Sequence, residues 1–408
     1  MVQHLVVVGA SLAGLRAVEG ARDAGFTGDI TLIGAEPHLP YDRPPLSKQF
    51  LAAEEEPALP VLRDRAGYAE ELGVRLRLGS PARELDAERR VVSVDDDEIG
   101  YDALVITTGA GPRWLPGAGD LAGVHALRTV DDARAVRRAL DGGARTVVIG
   151  AGFIGSEVAS SARGRGLPVT VLEAQPTPLV RAIGTELGSV CAELHRAHGT
   201  DLRCGAQVAG IEGDGRVERV LLSDGSSLPA DLVVLGLGAT PSTAWLRGSG
   251  LEIDNGIVCD DSLATGVPGV HAAGDVARWH NPLFGRRMRL EHWTSAAEQG
   301  AHAARNAVTG AREPYSVVPY FWSDWYGTRI QFAGVPDADE VEVFGDVDGR
   351  RFVALYRSDA RLTGVLAVNR PSDIVKYRSL IRKSVSWDEA LSFARERQRR
   401  VPAAGAVG

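Results

Sequence analysis

Residues 5–8 (LVVV) form an apolar run that passes directly into Gly-Ala-Ser-Leu-Ala-Gly, and the following LRAVEGARDAG carries apolar positions at helical spacing. A second apolar run, DITLIG, closes on the acid Glu36. Strand, glycine-rich turn, helix, strand is the pattern of a βαβ unit in a parallel sheet. Further on, a charged helix-like stretch near 63–72 precedes alternating segments at Val74–Leu78 and 89–94. The run YDALVIT (101–107) reads as a buried strand that ends in Thr108-Gly109-Ala110, and the Pro- and Gly-rich GPRWLPGAG marks a crossover between domains.

The same pattern then repeats. A strand over 145–149 leads into Gly150-Ala151-Gly152-Phe153-Ile154-Gly155, a helix begins with SEVASSARGRG, and the strand PVTVLE ends on Glu173. DLVVLGLG (231–238) is another buried strand, broken by Thr240-Pro241. A short strand in GVPGVHAAGD ends on Gly274-Asp275, and a long helix over 293–308 follows. From Pro319 onward apolar and polar positions alternate at 328–332, 340–345, 351–357 and 361–368, with Asp348-Gly349 as a hairpin turn. Two short helical segments come next, and the closing VPAAGAVG is expected to be disordered. The predicted fold is α/β: two doubly wound dinucleotide-binding domains, the second inserted in the first, and a C-terminal α+β domain. The expected boundaries are 1–110 with 239–314, then 111–238, then 315–408.

The two glycine turns differ in quality. Gly9 suits the tight turn, Gly14 the close packing of helix on sheet, and Glu36 a ribose contact. Ser11 stands where a middle glycine would admit a pyrophosphate, so this copy alone leaves its nucleotide open. The second copy has all three glycines, and Glu173 follows Gly155 by 18 residues. An acid there favours a free ribose 2′-hydroxyl, and no Arg or Lys directly follows it to hold a 2′-phosphate, so NADH is expected rather than NADPH. Asp275, a carboxylate beside a glycine at a strand end, can accept from a polyol chain.

At 408 residues, 44% hydrophobic and 24% charged, the chain suits a soluble protein of two or three domains. No apolar run approaches the roughly 18 residues of a membrane span, and no Lys or Arg precedes the apolar start as in a signal peptide. A cytoplasmic protein is expected. Cys191, Cys204 and Cys259 lie far apart without CxxC spacing, which leaves no legible metal site, disulfide framework or redox pair. A net charge of −8 argues against nucleic-acid binding. Against that balance, residues 376–400 hold eight basic side chains and three acids, a local excess of +5.

The octapeptide Tyr41-Asp42-Arg43-Pro44-Pro45-Leu46-Ser47-Lys48, the TTGA turn at 107–110, LRT at 127–129, VPGVHAAGD, LEHW at 290–293 and FWSD at 321–324 together narrow the picture. Over almost its whole length the chain resembles the FAD-dependent ferredoxin reductases of the putidaredoxin reductase and biphenyl-dioxygenase reductase type. The resemblance implies FAD at the first glycine turn, near Gly9, Ser11, Leu12, Ala13 and Gly14. It puts the adenosine ribose near Ala35 and Glu36, phosphate at Arg43 and Arg128, and adenine at Ala82. Thr108, Gly109, Gly274 and Asp275 would line the flavin side, with Asp275 on the ribityl chain and Trp293 and Trp322 flanking the ring. NAD would lie on Gly150, Gly152, Phe153, Ile154, Gly155, Glu173 and Gly238, with Arg181 on its phosphates and Glu291 at the nicotinamide carboxamide.

Lys48 sits where disulfide reductases of related architecture place their cysteine pair. An ammonium near flavin N5 and O4 would favour the negative charge that arrives with a hydride. The resemblance makes Glu157 its partner, and a carboxylate early in a helix also suits the macrodipole. The implied activity is NADH:ferredoxin oxidoreduction, the hydride going to FAD and single electrons to an acidic [2Fe–2S] ferredoxin. Candidate docking residues are Arg63, Arg65, Arg286, Arg287 and Arg289, with the C-terminal basic run as another surface. Rubredoxin, dioxygen or a quinone as acceptor, or a redox-signalling role like that of the apoptosis-inducing factors, stay open on sequence alone.

Overall fold

The structure, a computed structural model, describes residues 2–400. The closing VPAAGAVG lies outside the described residues. The chain divides into two compact units: Met1–Arg43 with Ala58–Gly111 and Ala239–Val317, and Pro44–Pro57 with Pro112–Gly238 and Val318–Gly408. The short stretch that carries Lys48 thus packs with the second unit.

In the first unit five parallel strands lie in the order Val270–Ala272, Ala103–Ile106, His4–Val8, Asp29–Gly34, Val74–Leu78. Their apolar runs are continuous because the sheet is buried: Leu5, Val6, Val7, Leu32, Leu104, Val105 and Ile106 share one core with Leu15 and Val18 of the first helix and with Leu85, Val92 and Val94 of a small antiparallel sheet. The chain leaves His4–Val8 toward Asp29–Gly34 and leaves its neighbour Ala103–Ile106 toward Val270–Ala272, in opposite directions, so the carboxyl ends of these two strands form a topological switch point, where ligands bind in open α/β sheets. The helix Leu12–Asp23 crosses Trp293–Thr309 at very close range: a Cβ on Gly300 would lie 2.2 Å from the Ala13 carbonyl oxygen, and one on Gly20 2.5 Å from that of Ala301. Small residues at these crossings bring the N-terminus of each helix to the carboxyl edge of the sheet.

The second unit repeats the parallel sheet in the order Asp201–Cys204, Val169–Glu173, Thr146–Ile149, Leu232–Leu235, Val124–Ala126. In sequence this sheet falls between strands of the first, as an inserted Rossmann-like domain does. The C-terminal part is a five-stranded antiparallel sheet, Tyr320–Trp325, Thr328–Gly334, Arg361–Val368, Arg351–Ser358, Glu340–Asp346, closed by the helices Pro371–Arg382 and Trp387–Arg400. Four of these strands fall where alternation predicts them. The fifth, Tyr320–Trp325, is a strand that the alternation reading does not contain. The charged stretch near 63–72 is a single wide helical turn, Gly67–Glu71, rather than a regular helix.

Candidate functional site

Both glycine turns are built alike. In the first unit Gly9 has φ +122°, and a Cβ on Gly14 would lie 2.1 Å from the Gly9 carbonyl oxygen. In the second, Gly150 has φ +102° and a Cβ on Gly155 would lie 2.1 Å from the Gly150 oxygen. The middle position is different in kind. Ser11 has φ −137° and Gly152 φ −75°, both ordinary for an L-residue, so serine imposes no backbone strain there. Its side chain occupies space and stands 3.4 Å from Arg43 Nε, which donates to it.

The helices that follow, Leu12–Asp23 and Phe153–Gly164, begin with no side-chain cap and no acid in the first turn. By contrast, Val130–Asp141 has a complete capping box from Thr129 and Asp132 and two acids in its first turn. Uncapped N-termini at a glycine turn present backbone N–H groups and the positive end of the helix dipole to an anion. A pyrophosphate fits both, and these cradles are the structural reason to assign a dinucleotide to each.

Several of the predicted residues are tied to the first turn or to one another. Thr107 Oγ1 donates to the carbonyl oxygens of Val8 (3.1 Å) and Gly9 (2.9 Å), and Thr108 Oγ1 donates to that of Ser242 (3.0 Å), while Gly109 accepts from Ser242 N at 3.0 Å. Gly274 N donates to the buried Gln299 Oε1 at 2.8 Å, which fixes the Gly-Asp step ahead of Asp275. Glu36 accepts from Tyr41 Oη and from Arg43 Nη2, each at 2.5 Å, so a ribose hydroxyl would share a carboxylate that is already oriented. Trp293 Nε1 donates to Asp42 Oδ1 at 2.7 Å, holding the indole at the start of its helix. Ala35 is exposed just past the second strand, and Ala82 begins the strand Ala82–Asp86. Glu291 pairs with Arg289 Nη2 at 2.8 Å, and Arg289 Nη1 donates to the Asp275 carbonyl at 3.1 Å.

In the second unit Glu173 turns back onto its own glycine turn. Its Oε2 accepts from Ala151 N at 2.8 Å and its Oε1 from Gln175 N at 2.9 Å. Phe153 packs against Phe321, ring centroids 4.6 Å apart, and Ile154 is 40% exposed at the helix start. Gly238, with φ +88°, leaves nothing within 4 Å of a notional Cβ, so that edge is open. Arg181 is exposed on the short helix Val180–Ile183. Arg128 precedes the capping box, and its own N donates to Asp132 Oδ2 at 3.0 Å. Trp322 stacks near Tyr320, centroids 6.1 Å apart.

Lys48 and Glu157 meet as the resemblance implies, Nζ to Oε1 at 2.8 Å, with the Glu157 side chain 3% exposed. The macrodipole has little part in this. Glu157 is the fifth residue of its helix, beyond the first turn, and what steadies it is hydrogen bonding: Ser47 Oγ donates to Oε2 at 2.5 Å and Ser323 Oγ donates to Oε1. Neither serine is singled out by the sequence. A hydroxyl next to Lys48 and one inside FWSD become partners of Glu157 only after the chain folds.

The cysteines are free thiols, and burial pushes Cys191 and Cys259 up to about 12, which leaves both inert at neutral pH. Among the described residues no group of His, Cys, Asp and Glu could hold a metal ion, and no helix is long and apolar enough to cross a membrane.

Residues 3–300 match the family described as pyridine nucleotide-disulphide oxidoreductase, and residues 320–397 match a reductase C-terminal domain. Rhodocoxin reductase of Rhodococcus erythropolis is 38% identical over 381 residues, 92% of this chain and 89% of that protein. The ferredoxin–NAD(+) reductase subunit of the benzene 1,2-dioxygenase system of Pseudomonas putida is 36% identical over 392 residues, 94% of each. The structure of a covalent putidaredoxin reductase–putidaredoxin complex superposes with a TM-score of 0.89 at 34% identity, covering 94% of each chain. With two glycine cradles on two parallel sheets and a C-terminal sheet where the reductase C-terminal domain matches, this chain belongs to the pyridine nucleotide-disulphide oxidoreductase family.

Proposed function

We propose that the protein is an NADH:ferredoxin oxidoreductase, carrying reducing equivalents from NADH through FAD to a [2Fe–2S] ferredoxin that serves a Rieske-type oxygenase or a cytochrome P450. The observation that carries this reading is the pairing of the half-buried Lys48 with the buried Glu157, on a chain whose three cysteines form no redox pair. Relatives named as a rhodocoxin reductase and as the ferredoxin–NAD(+) reductase subunit of a benzene dioxygenase system, and a solved complex of putidaredoxin reductase with putidaredoxin, support the acceptor. Free thiols suit a reducing compartment, and the cytoplasm is the location proposed.

When bound, FAD accepts a hydride and releases two electrons singly, chemistry that belongs to the cofactor. The chain supplies position and field. The uncapped start of Leu12–Asp23 holds the FAD pyrophosphate, with Arg43 beside it, and Glu36 orients the ribose. Asp275 holds the ribityl chain, and Trp293, fixed by Asp42, offers a flat face to the ring. The start of Phe153–Gly164 holds the NADH pyrophosphate, with Glu173 at the ribose. Lys48 contributes a positive charge that favours the arrival of negative charge on the flavin, and Glu157 keeps that ammonium in place. No acid–base triad is required.

Purified protein is expected to show the visible flavin bands, to bleach anaerobically on addition of NADH, and to reduce ferredoxin faster than rubredoxin, dioxygen or a quinone. Absence of NADH-dependent bleaching would reject the oxidoreductase reading, and a faster non-ferredoxin acceptor would reassign its partner.

A further inference from the structure

The carboxylate of Glu157 is held by more than its ion pair. An ionised carboxylate only accepts hydrogen bonds, and its two oxygens offer about four sites. Three are filled, by Lys48 Nζ and Ser323 Oγ on Oε1 and by Ser47 Oγ on Oε2. The direction of the Ser323 bond is forced. Trp325 Nε1 can only donate, and it donates to Ser323 Oγ at 2.7 Å, so that hydroxyl accepts from the indole and its single proton is left for Glu157. Ser323 and Trp325 are both fully buried and, two residues apart on one strand, share a face.

The strand that carries them is fixed to the helix that carries Glu157. At the hairpin tip Tyr326 N donates to Ser160 Oγ at 2.7 Å, and Tyr326 and Gly327 make a two-residue turn with φ +49° and +74°. Ser47 is fixed to the same helix, since Ser161 Oγ donates to its carbonyl at 2.8 Å. One helix, Phe153–Gly164, therefore ties the Lys48 segment and the C-terminal sheet to a single carboxylate.

We propose that Ser323 is a positioning residue for hydride transfer: backed by Trp325 and opposed by Ser47, it holds the Glu157 carboxylate facing Lys48, so that the C-terminal sheet sets where the ammonium charge lies. The proposal rests on the oxidoreductase reading above. Without the Ser323 hydroxyl, Glu157 Oε1 and Trp325 Nε1 each lose a partner in a dry environment, and the carboxylate is free to swing toward Ser47 and away from Lys48.

The test uses FAD-loaded protein, with anaerobic stopped-flow reduction by NADH and equilibrium measurement of the flavin midpoint potential against a reference dye. Ser323→Ala is expected to slow flavin reduction by about threefold to tenfold, the scale of a charge-assisted hydrogen bond partly transmitted, with NADH affinity unchanged. The midpoint potential should move to a more negative value, because a displaced ammonium stabilises the reduced flavin less. Ser323→Thr, which keeps a hydroxyl, should restore both. In a Lys48→Met background Ser323→Ala should have no further effect on rate or potential, since its influence runs through Lys48. Should Ser323→Ala not fold, Trp325→Phe removes the indole that turns the Ser323 proton toward Glu157 and is expected to give smaller losses in the same direction. An unchanged potential in the folded variant, or an equal slowing with and without Lys48, would overturn the positioning role alone. Wild-type protein that NADH does not bleach would overturn the oxidoreductase reading and this inference with it.

Discussion

At the scale of single residues, the side chain we propose to decide nucleotide choice is Glu173. Its two oxygens are fixed by Ala151 N and Gln175 N, so the carboxylate cannot turn aside when a nucleotide arrives. A ribose 2′-hydroxyl can donate to it, whereas a 2′-phosphate would meet a fixed negative charge. Glu173→Ala is therefore expected to weaken NADH binding by about tenfold, the cost of a lost hydrogen bond to a charged group, and to leave NADPH binding unchanged or improved. Dissociation constants for both nucleotides measure this, and equal losses for the two would rule out the ribose contact. The place of Glu173 beside the second glycine turn was legible, because an acid that ends the strand after a full glycine fingerprint lands there. Ser47 and Ser323 were not, because they reach Glu157 across 110 and 166 residues of chain and nothing in their local sequence marks them. Ser11 was legible as a departure that a small hydroxyl, able to donate to a phosphate oxygen, could make good; the extended backbone adds that a side chain there carries no strain.

At the scale of elements, the first hairpin of the C-terminal sheet is the piece that sequence reading half misses. Tyr320–Trp325 is YFWSDW, four bulky rings in six residues with no clean alternation, and its turn is Tyr-Gly rather than the Asn-Gly or Asp-Gly that signals a two-residue hairpin. What holds that turn is a buried polar cluster. His195 Nδ1 lies 2.9 Å from Tyr326 Oη, His195 Nε2 lies 3.1 Å from Ser156 Oγ, and Thr200 Oγ1 lies 2.8 Å from Tyr326 Oη. Burial, helped by the nearby His198, pushes the His195 imidazole down to about 4 from an ordinary value of 6.5. Between these values the unfolded chain binds a proton that the folded chain refuses, so stability rises with pH across this window and is lost as pH falls from 6.5 toward 4. The slope is at most about 1.4 kcal/mol per pH unit for one histidine. His271, also buried and pushed down to about 4, acts in the same direction. Thermal midpoints at pH 7, 5.5 and 4.5 should fall on the acid side, and His195→Gln should flatten that fall, whatever it costs at neutral pH. An unaltered slope in the variant would mean that His195 is not held neutral.

At the scale of the whole molecule, the proposed partner is an acidic ferredoxin and the protein itself carries a net charge of −8, so on that reading its exposed cations steer the encounter. Two of the arginines expected to do so are already engaged: Arg63 pairs with Glu19 at 3.1 Å and with Glu71, and Arg289 is 10% exposed and pairs with Glu291. The C-terminal run is also partly committed, with Arg397 and Arg370 both on the buried Asp373 and Arg378 over the Tyr320 ring. Lys376, Arg382, Lys383, Arg395 and Arg399 are left exposed on the two closing helices, and Arg65 and Arg287 are exposed in the other unit. Exposed charges act mainly on the association rate and are screened beyond about 8 Å at physiological salt. The second-order rate of ferredoxin reduction should therefore fall on the order of tenfold between low salt and about 0.5 M, while flavin reduction by NADH stays nearly constant. Charge reversal then separates the two surfaces. If the closing helices dock the partner, Lys376→Glu and Lys383→Glu should lower the low-salt rate and flatten its salt dependence, with Arg65→Glu and Arg287→Glu leaving both unchanged; the opposite pattern moves docking to the first unit, and a rate indifferent to salt removes electrostatic docking altogether.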